Sequence, residues 1–105
     1  MNMPSNQLVR EGEILYLQGQ INFQTVTEIY RLFTQELASG ITTLDCSKVE
    51  QCDSSAISLL LAGRRLALGR KIRLQIRGMN EQLLSLARLY EVETVLQAAE
   101  LGSDS

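Results

Sequence analysis

Asp45, Cys46, Cys52, Asp53, Ser54 and Ser55 crowd into one short stretch of a 105-residue chain, and they are residue types from which reactive sites are built. A serine becomes a nucleophile when a base takes its proton, and histidine is the commonest base. The chain contains no histidine, and the stretch lacks the Gly-x-Ser-x-Gly turn that raises a hydrolase serine above its sheet. Two cysteines cannot complete a structural zinc site, which takes four ligands, so no metal is expected. Cys46, at a strand end, reads as a small buried hydrophobe, and the pair reads as two free thiols. No phosphate-binding loop is present, so any nucleotide hydrolysis must belong to another protein. Tyr30, Phe33 and Tyr90 fall at helical spacing in apolar stripes and read as core, while Glu91 and Glu93 read as solvated. The expectation is a protein that is not an enzyme and carries no cofactor.

What Asp53, Ser54 and Ser55 can do is begin a helix. Asp53 or Ser54 can cap it, and the unpaired N–H groups of the first turn then form a positive end. An anion, a carboxylate from another protein, or a phosphate on the serine is favoured there.

The elements around this stretch must hold it in place. Gln7 to Arg10 and Glu13 to Gly19 are expected to pair as a hairpin, with Glu11 and Gly12 at the turn. Val26, Ile29, Tyr30, Phe33 and Leu37 then recur every three or four residues, which predicts a helix capped by Asn22 and ended near Gly40. Ile41 to Cys46 is a short strand, followed by a turn and a helix from Ser54 to Leu68 that stops near Gly69. Ile72 to Arg77 alternates apolar and polar residues, as a strand with one wet face does. Gly78 turns the chain, and Asn80 precedes a helix carrying Leu83, Leu84, Ala87 and Leu89. Val92 to Leu101 is expected to form one more short helix, with about 1–6 and 102–105 as loose termini. Strands that alternate with helices favour a partly parallel sheet, so the fold class is α/β in a single domain.

Composition agrees. Hydrophobic residues make up 45% and charged residues 21%, which is ordinary globular usage. A net charge of −2 gives no footprint for nucleic acid, although Arg64, Arg65, Arg70, Lys71, Arg73 and Arg77 cluster locally. The apolar run Ile57 to Ala62, with Ser58 inside it, is far too short to span a bilayer. With no apolar leader at the N-terminus, a cytoplasmic protein without direct membrane insertion is expected.

The segment Leu44-Asp45-Cys46-Ser47-Lys48-Val49-Glu50-Gln51-Cys52-Asp53-Ser54-Ser55-Ala56-Ile57 resembles the signature of the STAS family. In that family a strand ending in Asp leads to Asp-Ser-Ser/Thr-Gly-Leu at a helix start. The resemblance extends over most of the chain. Gly40-Ile41-Thr42, Leu59-Leu60-Leu61 and Gly78-Met79-Asn80, followed by Leu86-Ala87-Arg88-Leu89-Tyr90, are similar to the small STAS subunit of the bacterial Mla phospholipid transporter. The resemblance implies a STAS-type fold: a mixed four- to five-stranded sheet with helices mainly on one face. It implies a non-catalytic subunit peripheral to the inner membrane, bound to the ATPase subunit of an ABC transporter that maintains lipid asymmetry. The alternative within the family is an anti-sigma-factor antagonist switched by phosphorylation of Ser54 or Ser55. Ala56 stands where the family pattern has glycine, which firms the helix and makes its backbone less open to a kinase loop.

At about 100° per residue, Ala56, Leu59, Leu60, Gly63, Leu66 and Ala67 share one face of that helix. Ile57, Leu61 and Leu68 then lie on the other side with Ser54, Ser58, Arg64 and Arg65, either as an interface or beneath a neighbouring helix. The expected docking site is centred on Ser54 and flanked by Asp53, Ser55 and Ser58, with Ile57, Leu61, Arg64 and Arg65 around it.

Overall fold

The computed structural model describes residues 7–97. Strands β1 (Leu8–Glu11) and β2 (Ile14–Ile21) form an antiparallel hairpin whose turn is Gly12–Glu13, one residue later than the sequence pattern implies. Helix α1 (Val26–Ala38) crosses to β3 (Thr43–Cys52), and helix α2 (Ser54–Gly69) crosses to β4 (Gln75–Arg77). Helices α3 (Glu81–Leu89) and α4 (Glu93–Gln97) follow. The sheet order is β1-β2-β3-β4, with β2, β3 and β4 parallel. Two successive crossovers of the same hand, stepping the same way across a sheet, leave α1 and α2 on one face.

Leu15, Leu17, Leu44, Cys46 and Ile76 point into that face and meet Ile29, Phe33 and Leu37 of α1 and Leu60 and Ala67 of α2. Leu83, Ala87 and Leu96 close the same core. Gly63 is what lets the two crossover helices approach: a Cβ there would lie 3.1 Å from the ring of Phe33.

Two strands differ from expectation, for opposite reasons. β3 runs to Cys52 rather than Cys46. Its second half, Ser47 to Gln51, buries only Val49, so side-chain periodicity gives no sign of it. The backbone ladder to β2 holds it instead, pairing Lys48 with Gln18, Val49 with Gly19 and Cys52 with Ile21 across two register irregularities. β4 is three residues long because Ile72 is claimed by the helix before it. Lys71 takes a left-handed φ of 60°, and the Ile72 N–H donates to the Ala67 carbonyl at 2.8 Å. That is the return hydrogen bond of a Schellman end, which leaves residues 72–74 outside the ladder.

Asn22 does not cap α1. Its Oδ1 accepts from the N–H groups of Gln24 (2.9 Å) and Thr25 (3.2 Å) in the turn just before, and Thr25 occupies the cap position. Tyr90, expected in the core, is half exposed at the end of α3. The expected helix Val92 to Leu101 begins at Glu93, and its part beyond Gln97 lies outside the described residues, as do the expected loose termini. No helix among the described residues is long and apolar enough to cross a membrane.

Candidate functional site

The parallel pairing of β2 with β3 ends at Ile21 and Cys52, so the chain leaves both strands at the same end of the sheet. The Asp53 N–H donates to the Ile21 carbonyl at 3.2 Å, and α2 starts at the next residue. Asp53 is the N-cap: its Oδ1 accepts from the Ser55 N–H at 2.9 Å and from the Ser55 hydroxyl. These bonds, with the Phe23 backbone amide also favouring the carboxylate, hold its pKa below the usual carboxylate range. The cap carboxylate and the Ser55 hydroxyl are therefore committed to each other. Ser54 and Ser58, one turn apart, are exposed on the outer side of the helix.

The expected docking residues divide. Asp53, Ser54, Ser55, Ser58 and Arg65 line the outer side of α2 or its N-terminal end, and Leu61 is half-buried against the core. Ile57 and Arg64 are buried, at 3% and 8% exposure, which corrects their placement on a free face. The reason is the last two helices, which pack along that side of α2. Arg64 donates to the Leu96 carbonyl near the C-terminal end of α4, and burial lowers the pKa of its guanidinium. Further along α2, Arg65 and Arg70 flank a shallow groove of about 440 Å³ floored by Tyr30, Ala62 and Leu66.

Asp45, read in the signature as the end of a strand, lies inside β3 and away from the serine turn. Tyr16, Asp45 and Arg77 are in register across β2, β3 and β4, on the face opposite Leu15, Leu44 and Ile76. Asp45 Oδ1 accepts from the Ser47 N–H (2.8 Å) and hydroxyl (2.6 Å), and Oδ2 accepts from Arg77 Nε at 2.8 Å. Burial alone would raise the Asp45 pKa and is the largest single influence. The bonds from Ser47 and Arg77 together outweigh it, so the carboxyl titrates below its ordinary value. The stability this contributes is complete above the unfolded pKa of about 3.9 and is lost as pH falls through the lower folded value. Between pH 5 and pH 2, wild-type stability should therefore fall more steeply than that of Asp45→Asn. Parallel urea melts with equal slopes would count against this assignment.

Both cysteines are free thiols. Burial, then the nearby Asp45 charge, pushes the Cys46 thiol up to about 12, while Cys52 is half-buried with its sulfur 3.5 Å from Gln82 Oε1. Partial burial raises Cys52 as well. An alkylating reagent at pH 8 should label Cys52 slowly and spare Cys46 until the protein is unfolded. Equal labelling of both thiols in the native protein would contradict the burial of Cys46. Among the described residues no cluster of His, Cys, Asp and Glu could hold a metal ion.

One residue beside the site has no counterpart in the expected set. Phe23 is 74% exposed, the highest value among the large apolar side chains of the described residues. It stands two residues beyond Ile21, on the turn that faces the start of α2. The signal was available: an aromatic between Asn22 and Gln24, three residues before Val26 and seven before Tyr30, which continues the apolar spacing of α1 but stands ahead of its first turn.

Residues 6–98 match the family model described as "Mlab, STAS domain". The chain is 27% identical over 84 residues to the intermembrane phospholipid transport system binding protein MlaB of Escherichia coli K12, covering 80% of this chain and 86% of that protein. The Shigella flexneri protein of the same name matches to the same extent. Among solved structures, the chain is similar to a crystal structure of Mglu, with a TM-score of 0.56 and 27% identity over 70% of this chain, although it spans only 19% of that one. A native-form Mglu structure, at 23% identity and a TM-score of 0.51, shares the fold. A mixed sheet backed by helices, an Asp-capped serine turn at the start of α2 and a family match over nearly its whole length show that this chain belongs to the MlaB-type STAS domain family.

Proposed function

We propose that this chain is a non-catalytic subunit of an Mla-type phospholipid transporter, docking through the N-terminal end of α2 onto the cytoplasmic ATPase subunit to stabilise or regulate it. The observation that carries the reading is the exposed pair Ser54 and Ser58 on a helix whose cap is already satisfied by Asp53. A surface of that kind lets another backbone approach closely, with two small hydroxyls placed to exchange water for hydrogen bonds to the partner. The resemblance to proteins named for an intermembrane phospholipid transport system supports a transport complex as the partner. The chemistry of the stretch supports docking over catalysis, since neither an acid–base pair nor a histidine accompanies Ser54.

Purified protein should co-elute with an Mla-type ATPase subunit from the same organism on size exclusion. Separate elution at tens of micromolar of each would overturn the reading. The phosphoswitch alternative has one observation in its favour, the exposed Ser54 hydroxyl at the first position of α2. Incubation with ATP and a cognate kinase, followed by intact mass, distinguishes it: a single added phosphate on Ser54 would favour the switch.

A further inference from the structure

A phenylalanine left almost wholly in water is a cost to an isolated domain, and a loose loop would let it fold back onto nearby apolar surface. The Phe23 loop is not loose. Asn22 Oδ1 accepts from the N–H groups of Gln24 and Thr25, and the Asn22 N–H donates to Thr25 Oγ1 at 3.0 Å. The N–H groups of Thr25 and Val26 donate to the Asn22 carbonyl at 3.0 and 2.9 Å. Thr25 Oγ1 reaches the Gln20 carbonyl at 3.2 Å. The turn is thus fastened on both sides of Phe23, while the residue stays 74% exposed. Behind it, the bond from Asp53 to Ile21 joins this turn to the start of α2, so ring and serines share one rim of the molecule.

Resting on the docking proposed above, we infer that Phe23 is the apolar anchor of that contact, inserting its ring into an apolar pocket of the ATPase subunit beside the surface that receives Ser54 and Ser58. Interfaces take most of their affinity from a few such pre-positioned side chains, and an aromatic with two rotatable bonds loses little freedom when it is buried. A protein pocket suits the surroundings better than a lipid surface. From Gln18 to Tyr30 the chain has no lysine or arginine; Asp53 is acidic, and the nearby Arg31 is paired with Glu28. Surface insertion into an anionic membrane depends on basic residues around the apolar group.

The test is a titration of wild type, Phe23→Ala and Phe23→Leu against the purified ATPase subunit, with a thermal melt of each variant. Phe23→Ala should bind at least tenfold more weakly, Phe23→Leu should recover part of the loss, and the melts should coincide within a few degrees. Undiminished binding by Phe23→Ala, while wild type binds, overturns the anchor and leaves the docking reading standing. A wild type that does not bind overturns both. Flotation with phosphatidylglycerol vesicles in a Phe23-dependent manner, without the ATPase, would assign the ring to a membrane and overturn the protein pocket.

Discussion

Gly78→Ala should destabilise this domain by about 2–5 kcal/mol, from roughly 1–2 for a left-handed non-glycine residue and 1–3 for overpacking. Gly78 has a φ of +73°, and it follows directly on β4. A Cβ there would lie 3.0 Å from Asp45 Oδ1, 3.0 Å from the Ser47 nitrogen and 3.1 Å from the Ser47 Cβ. Two of those atoms belong to the hydrogen bond that holds Asp45 in place, so the methyl cannot be accommodated by swinging one flexible side chain aside. The melting temperature should fall by on the order of 10–20 °C for a domain of this size. The site lies on the far side of the sheet from the start of α2, so the protein that remains folded should bind its partner normally. A loss under 1 kcal/mol in urea melts would mean that the turn relaxes in a way the geometry does not foresee.

Ser54→Glu should produce the reverse pattern, a large loss of binding with little change in stability. Its hydroxyl is exposed at the first position of α2. A carboxylate in the first turn of a helix is favoured by about 0.3–1 kcal/mol, so the melt should hold or rise slightly. In the complex the same carboxylate would be enclosed without a counter-charge, and an unpaired charge taken out of water costs several kcal/mol. Affinity for the ATPase subunit should therefore drop by at least two orders of magnitude. Ser58→Glu, one turn further on, should show the same signature more weakly. Leu61→Asp would not separate docking from folding, because Leu61 packs against the core. Normal affinity in a folded Ser54→Glu protein would remove the start of α2 from the interface.

Much of this arrangement was legible from side-chain pattern, and the failures have identifiable causes. Helices α1, α2 and α3 show themselves because each carries an apolar face at helical spacing. Asp53 and Asn80 stand where caps are needed, and Asn80 Oδ1 does accept from the Leu83 N–H at 2.9 Å. The second half of β3 was hidden because a strand whose side chains are mostly wet is held by its ladder, which sequence periodicity does not report. A helical wheel put Ile57 and Arg64 on the second side of α2 but left open whether that side was an interface or covered; α3 and α4 return to cover it at these two residues. Arg64 in particular reads as solvated until a carbonyl at the end of another helix is available to receive it. Phe23 escaped for a different reason: its spacing to Val26 and Tyr30 makes it look like one more member of the α1 stripe, and only the turn that precedes Val26 leaves it exposed.

The absent side chain at Gly63 has a consequence for how quickly two molecules can find each other. With Phe33 seated against bare backbone, α1 and α2 approach closely, and the bond from Asp53 to the Ile21 carbonyl ties the first turn of α2 to the chain just before α1, an arrangement that favours a fixed spacing. A surface assembled in advance does not wait for a rearrangement after collision. Association should then run at the ordinary pace of docking without electrostatic steering, about 10⁵–10⁶ M⁻¹s⁻¹, and variants along the rim should differ mainly in how long the complex survives. A bulkier residue at Gly63 would wedge the helices apart and slow capture from a distance, without touching anything that the partner touches.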